Sequence, residues 1–206
     1  MMKRLIDISF SLIALIICLP LLVLISVLVK FTSPGKIIYS SIRAGRDNQN
    51  FRMYKFRTMV ENAENIGGHS TSINDPRLTK IGRFLRKYKL DELPQFFNII
   101  IGDMSLVGPR PQVLYYTDQY QGDFKLILSI RPGITDLASL YFSDMDLTLG
   151  IGDVNKKYEI EIEPVKNLLR LRYVREKSLL LDFRILIETA FNVIGFKSVT
   201  GLNIKP

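Results

Sequence analysis

One cysteine and one histidine serve the whole 206-residue chain, and that scarcity removes several common chemistries. Cys18 lies inside an apolar run, so there is no intrachain disulfide, nothing points to an oxidising compartment, and the thiol reads as a small buried hydrophobe. His69 stands in a Gly/Ser/Asn-rich segment, which excludes multi-histidine zinc sites and any Ser-His or Cys-His arrangement centred elsewhere. No Gly-Lys-Ser/Thr closes a Walker loop, Gly67-Gly68 alone is no phosphate cradle, and no Rossmann glycine fingerprint follows a strand. No low-complexity linker or internal repeat divides the chain, so it reads as one globular unit. Chemistry must rest on carboxylates, lysines and arginines.

Positive charge is abundant: 28 Lys and Arg against 20 Asp and Glu give a formal net charge of +8. Nucleic acid, acidic lipid and phosphorylated small molecules all satisfy that charge. Leu5 to Val29 is almost continuously apolar, interrupted by Asp7, Ser9, Ser11 and Ser26. A helix of that length crosses a hydrocarbon core of roughly 30 Å, and a single crossing is the simplest reading. Pro20, near its middle, favours a kink, and basic residues flank both ends, Lys3 and Arg4 before it, Lys30 and Lys36 after it. The positive-inside tendency then gives little asymmetry, and a bent helix that enters and leaves by one leaflet satisfies both ends. We expect residues 1–32 to form a membrane-inserted, re-entrant helix and residues 33–206 to form a domain that is one unit with it.

Two strand candidates, Lys36 to Ser41 and Phe51 to Arg57, are joined by the turn formers of Ala44-Gly45-Arg46-Asp47-Asn48 and predict a hairpin. A short helix around Thr58 to Asn65 and a polar loop should follow. Leu78 to Tyr88 is a basic amphipathic helix, suited either to the core or to anionic headgroups. Pro111 to Gln121 and Asp123 to Ile130 look helical, Arg131-Pro132-Gly133-Ile134-Thr135 is a turn, and Leu137 to Phe142 is a strand candidate. Val154 to Lys177 is helix-prone, with Pro164 breaking or starting a helix. Leu179 to Phe196 is apolar but carries Asp182, Arg184 and Glu188, which makes a second crossing costly. The class expected is α+β and mostly helical, with interfacial helices and a small hairpin.

Lys89-Leu90-Asp91-Glu92-Leu93-Pro94-Gln95 places two carboxylates at the mouth of a helix, because Pro94 fits a first turn and an apolar run follows. Asp91 would be the N-cap, kept ionised by the helix end, where a phosphate also docks. The plainer reading is a capped helix with an acidic first turn. Close by in sequence, Pro109-Arg110-Pro111 fixes an arginine between two prolines. Adjacent helical residues point about 100° apart, so Asp91 and Glu92 should have separate tasks.

Several blocks together resemble the monotopic phosphoglycosyl transferases, or bacterial sugar transferases. They are Met53-Tyr54-Lys55-Phe56-Arg57-Thr58-Met59, residues 74–86, Leu90-Asp91-Glu92-Leu93-Pro94-Gln95, Gly102-Asp103-Met104-Ser105-Leu106-Val107-Gly108-Pro109-Arg110-Pro111 and Arg131-Pro132-Gly133-Ile134-Thr135. With the N-terminal segment they span roughly the whole chain. The resemblance implies a UDP-sugar donor, a polyprenol phosphate acceptor, and Asp91 as the nucleophile of a covalent phosphosugar adduct formed with release of UMP. It implies that Glu92 assists attack by the acceptor, and that Mg²⁺ docks on Asp91 and Glu92. Arg110, clamped by Pro109 and Pro111, would hold a phosphate, with Lys55, Arg57, Arg43 and Arg131 as further candidates for the same pocket. The implied location is the bacterial inner membrane, with the catalytic domain on the cytoplasmic face against anionic lipids.

Two departures stand out. Many members break the membrane helix at Ser-Pro, where this chain has Leu19-Pro20, and many continue Arg-Pro-Gly-Ile-Thr with Gly-Trp, where this chain has Asp136-Leu137. The extra domains of larger members are not expected here. Two other classes compete: a catalytically silent membrane scaffold of the same fold, and a membrane-tethered nucleic-acid binder. No aromatic-basic motif supports the last, and no nucleic-acid partner is expected.

Overall fold

The computed structural model describes residues 2–63, 75–143, 154–196 and 199–205; His69 and Gly67-Gly68 lie outside them. Helix α1 (Met2–Thr32) is unbroken across Pro20. The proline's missing N–H costs one turn its hydrogen bond, and the turns on either side continue. It is long and apolar enough to cross a membrane, and only 11% of its most apolar window is buried. Leu12, Ile16, Ile17, Leu19 and Val23 along its middle are exposed.

Both ends of α1 are tied to the same body. Near the start, Lys3 Nζ donates to the Val107 carbonyl at 3.1 Å, and Arg4 to the Ile100 carbonyl at 3.0 Å. Asp7, the charge that interrupts the apolar run, is buried and accepts from the Ser105 hydroxyl at 2.8 Å and the Leu106 N–H at 3.2 Å. Near the other end, Ile25 and Val29 pack with Phe56 and Leu85 in a small apolar cluster. Beside them buried Arg57 donates to the Val29 and Ser33 carbonyls at 3.2 and 2.6 Å.

Strands β1 (Ile38–Ala44) and β2 (Asn50–Phe56) form the expected antiparallel hairpin, with Ile38 opposite Phe56 and Ala44 opposite Asn50. Asp47 and Asn48 take left-handed φ values of 56° and 57° at its tip, which short polar side chains tolerate. The helix expected around Thr58 to Asn65 does not form over its described part: Met59 bridges to Leu78 and a turn follows. The bridge holds Thr58 and Met59 extended against the start of α2 (Lys80–Lys87), whose N-cap, Thr79, accepts from the Gly82 N–H. Leu85 faces the core, while Phe84 and Tyr88 stack together, half exposed, at 4.9 Å between centroids.

A 3₁₀ turn, Leu90–Glu92, leads into α3 (Gln95–Ile101), which ends on Gly102 at φ 106°. Arg131–Thr135 is more than a turn. Strand β3 (Ser105–Val107) pairs in parallel with β4 (Gly133–Thr135). Three-residue strands carry too little alternation to register in sequence. Between them come a short helix α4 (Leu114–Thr117) and a 3₁₀ segment, Gly122–Ser129, in place of two longer helices. The strand expected over Leu137 to Phe142 is instead helix α5 (Leu137–Tyr141), because Asp136 caps it by accepting from the Ser139 N–H at 2.6 Å. A helical run follows, α6 (Val154–Lys157), a π-helical segment over Tyr158–Ile162, and α7 (Glu163–Glu176), which Pro164 starts. Helix α8 (Leu179–Val193) buries Asp182, Ile185 and Glu188. The main core gathers Ile99, Met104, Leu106, Leu137, Leu169, Tyr173 and Ile185 from α3, β3, α5, α7 and α8.

The parallel pair depends on two glycines. A Cβ on Gly133 would lie 2.1 Å from the Gly108 nitrogen, and one on Gly108 would lie 2.5 Å from the Arg131 carbonyl. This backbone contact carries Pro109-Arg110-Pro111 directly out of β3. Gly133→Ala is expected to lower unfolding free energy by about 2 kcal/mol or more through overpacking, measured by urea denaturation. An unchanged midpoint would show that the crossing can relax.

Candidate active site

The chain reverses at Lys89, which sits at φ 56°, and enters the Leu90–Glu92 turn. Leu90 and Leu93 pack against the cluster of Ile25, Val29, Phe56 and Leu85, which fixes the intervening carboxylates, Asp91 and Glu92, at 5% and 9% exposure. Asp91 is not the N-cap of a helix. The 3₁₀ turn already includes it, and Pro94 occupies the position before α3, with no side-chain cap bond.

Glu92 is the meeting point of two cations. Lys55 Nζ, from β2, donates to Oε1 at 2.8 Å; Arg110 donates from Nη1 to Oε2 at 3.1 Å and from Nη2 to Oε1. Burial alone would raise the Glu92 pKa, but Arg110 and then Lys55 outweigh it and hold the carboxyl well below the usual range. Asp91 differs. Its carboxylate accepts no hydrogen bond from the described residues, and burial pushes its pKa up, with the Glu92 charge adding to the rise and Lys55, Arg86 and Arg110 opposing it. Burial likewise lowers the Lys55 pKa, against the pull of Glu92.

Arg110 is held along its whole length. Its N–H donates to Asp136 Oδ2 at 2.9 Å and its Nη1 to the Ile134 carbonyl at 3.0 Å, while Pro109 and Pro111 fix the backbone on either side. Asp136 thus serves Arg110 and caps α5 at once. The support extends outward. Buried Arg170 lies 3.9 Å from Asp136 and donates to Glu163 at 2.9 Å, and Gln112 donates to Glu163 at 2.7 Å.

The structure brings Lys55, Asp91, Glu92 and Arg110 together. Arg43 stands close enough to Arg110 to feel its charge, although burial is the larger cause of its lowered pKa. Arg57 lies elsewhere, stapling the end of α1, and Arg131 donates from Nε to the Gly102 carbonyl at 2.7 Å, at the far end of α3. Three residues escaped sequence reasoning: Arg86, whose charge bears on Asp91 and whose Nε donates to the Thr58 hydroxyl at 3.0 Å; Asp136; and Lys166. An Asp before a short apolar helix is a cap signal that would have found Asp136.

No group of three or more acidic, His or Cys side chains that could hold a metal occurs among the described residues. Both Glu92 oxygens are engaged by cations, so of the two carboxylates only Asp91 has open coordination. One carboxylate fits Mg²⁺, which keeps several waters and completes its shell with substrate phosphates.

An unpaired carboxylate beside ion-paired cations, on a body bound to an exposed apolar helix, suits a membrane-associated protein that handles phosphate esters. Residues 1–196 match the family model described as bacterial sugar transferase, and the chain belongs to that family. It is 36% identical over 201 residues to the UDP-N-acetylgalactosamine-undecaprenyl-phosphate N-acetylgalactosaminephosphotransferase of Aeromonas hydrophila, covering 94% of this chain and 44% of that one. It is 39% identical over 194 residues to the UDP-glucose:undecaprenyl-phosphate glucose-1-phosphate transferase of Klebsiella pneumoniae, covering 92% and 39%. A putative undecaprenyl-phosphate N-acetylgalactosaminyl 1-phosphate transferase of Bacillus subtilis is 38% identical over 159 residues, covering 77% and 79%. The chain therefore spans less than half the length of the first two relatives.

Lys166 gives the site's surroundings a measurable signature. It is 4% exposed, makes no hydrogen bond or ion pair with a described residue, and lies over the Tyr158 and Phe142 rings at 4.8 and 5.6 Å. Burial, reinforced by Arg170 and opposed by Glu163, brings its pKa down to about 7. The folded state then binds this proton less tightly than the unfolded state, so its stability penalty is full below pH 7 and fades as pH rises toward 10.5. Lys166→Met should melt higher than wild type at pH 6.5, with the gap closing by pH 10. A gap independent of pH would mean the lysine is not desolvated as described.

Proposed function

We propose that this protein transfers a sugar 1-phosphate from a UDP-sugar to undecaprenyl phosphate and releases UMP. The observation that carries this reading is the Asp91 carboxylate, buried and unbonded beside a Lys55–Glu92–Arg110 cluster whose cations are fixed in place. The names of the relatives supply the donor and acceptor classes.

In the proposed reaction an Asp91 oxygen attacks the phosphorus bearing the sugar. An O–P bond forms, the phosphoanhydride bond breaks, and UMP leaves with its electron pair. An acyl phosphate is close in energy to the anhydride it replaces, so this exchange is nearly balanced. An oxygen of undecaprenyl phosphate then attacks the same phosphorus, forming the lipid diphosphate sugar and restoring the Asp91 carboxylate. Attack requires the anion. Burial without hydrogen bonds leaves Asp91 less solvated and more nucleophilic, while Lys55, Arg86 and Arg110 oppose the rise in its pKa.

Glu92, held far below its ordinary pKa, is a poor proton acceptor. It serves best as a positioning residue that orients Lys55 and Arg110 toward the donor phosphates, and through them it assists acceptor attack. Arg110 binds a phosphate oxygen with little ordering cost, since its backbone and guanidinium are already fixed. Asp91 would supply the carboxylate that holds Mg²⁺, and the charge neutralisation that phosphoryl transfer needs would be the ion's contribution there. Arg43 lies near enough to extend the anionic pocket.

The return of both ends of α1 to one body supports a re-entrant anchor, with the domain on the cytoplasmic face of the bacterial inner membrane. A UDP-sugar would then arrive from the cytoplasm and the acceptor from the bilayer. Exposed Phe84, Tyr88, Phe97 and Ile101 suit the headgroup boundary, where anionic lipids meet the basic face of α2.

Full-length protein in nanodiscs, supplied with undecaprenyl phosphate, Mg²⁺ and a panel of UDP-sugars, should release UMP with at least one donor. Asp91→Asn should lower that rate by about 10³-fold or more. Equal release by both proteins rules out Asp91 as nucleophile, and release by neither, with the fold intact, favours the silent scaffold. Because Lys55 opposes the rise in the Asp91 pKa, Lys55→Met should move the acid limb of the single-turnover rate toward neutral pH. An unmoved limb would separate Asp91 from the titration.

A further inference from the structure

A second basic cavity lies away from Asp91. It has a volume of about 530 Å³ and is bounded by the start of α1, β3, the end of the Gly122–Ser129 segment and the first turn of α8. Its basic side chains are Lys3, Arg4, Arg46, Arg131 and Lys177, set against two carboxylates, Asp7 and Asp182. The carboxylates are already engaged. Asp7 accepts from Ser105 and Leu106, and Asp182 accepts from Lys3 at 2.5 Å and from the Tyr173 hydroxyl at 2.6 Å.

The cations have much less. Arg46 pairs with Asp47 at 3.2 Å, Arg4 and Arg131 donate to neutral carbonyls at the end of α3, those of Ile100 and Gly102, and Lys177 has no partner among the described residues. Helix-end carbonyls orient the guanidiniums without cancelling their charge. Five basic groups, set against the two lining carboxylates and the Asp47 that pairs with Arg46, leave an excess of two positive charges at one concavity. None of Lys55, Asp91, Glu92 and Arg110 lines it.

Its rim faces apolar surroundings. Met2 and Leu5 on α1 and Leu180 and Phe183 on α8 are each more than 60% exposed. Apolar side chains beside a cationic concavity, at the mouth of a membrane-inserted helix, match the two halves of a phospholipid, headgroup phosphate and acyl chain. We propose that this cavity binds the headgroup phosphate of an acidic phospholipid, a non-reacting lipid that seats the start of α1 against the domain. The inference rests on the membrane association of the chain and is independent of the transferase reading.

The test is native mass spectrometry of the detergent-purified full chain with dihexanoyl phosphatidylglycerol, without donor sugar, for wild type, Arg46→Glu/Lys177→Glu and Arg52→Glu/Lys125→Glu. All four substituted side chains are exposed, and both double variants change net charge equally. One lipid per chain should be retained by wild type and the control variant, and retention should fall about tenfold in the cavity variant, at unchanged melting temperature. Equal retention by all three proteins, or equal loss in both double variants, overturns the site. Displacement by inorganic phosphate at matched concentration would overturn the lipid in favour of a free anion. Preferential displacement by a polyprenol phosphate would overturn the phospholipid in favour of the acceptor. UMP release, measured separately, reports on the transferase reading whichever way lipid retention falls.

Discussion

The ion cluster on Glu92 decides what the rest of the site can be. One carboxylate, nearly out of water, receives Lys55 from the hairpin and Arg110 from the loop after β3, and so joins two parts of the chain that the Ala44 N–H also links by donating to the Gln112 carbonyl at 2.9 Å. Removing either cation would leave a buried charge under-compensated, a cost of several kcal/mol in comparable settings. The arrangement also sets Asp91 apart. With the cations committed to its neighbour, Asp91 is left buried, unbonded and reluctant to ionise, which is unfavourable for stability and useful for attack on phosphorus.

That unfavourable group is tolerated because the backbone around it is over-determined. Leu90 and Leu93 are pinned in the apolar cluster shared with α1, β2 and α2. The Gly108–Gly133 contact fixes where Arg110 emerges, and Asp136 holds it from behind while capping α5. The long apolar helix α1 belongs to the same construction. Asp7, Lys3 and Arg4 secure its start and Arg57 its end, so these charged groups in and around the apolar run are docking points.

Much of this was legible in sequence, and for identifiable reasons. The N-terminal helix, the hairpin, α2 and α8 announce themselves by long apolar runs or by turn residues, and Pro164, expected to break or start a helix, falls where the π-helical segment gives way to α7 within one helical run. The juxtaposed residues were legible because Asp91-Glu92 and Pro109-Arg110-Pro111 are short, local signals, which the structure brings together; the chemistry expected of them came from the family resemblance. What escaped was set by distant partners. Three-residue parallel strands carry no period, Asp136 turned a β-like stretch into a helix by capping it, and the 3₁₀ turn drew Asp91 inside a helical run whose edge it seemed to mark. Arg57 and Arg131 carry the same charge and motif context as Lys55 and Arg110, and only the fold sends them to other tasks.

A single covalent bond separates this account from a stable scaffold that merely resembles an enzyme. Wild-type protein mixed with a UDP-sugar substrate and Mg²⁺, in the absence of acceptor, should gain the mass of one sugar phosphate, and peptide mapping should place it on the segment containing Asp91. Adduct mass on a peptide lacking Asp91, or equal adduct on Asp91→Asn, would contradict the central claim. So would a donor that releases UMP at full rate while single-turnover quenching traps no adduct.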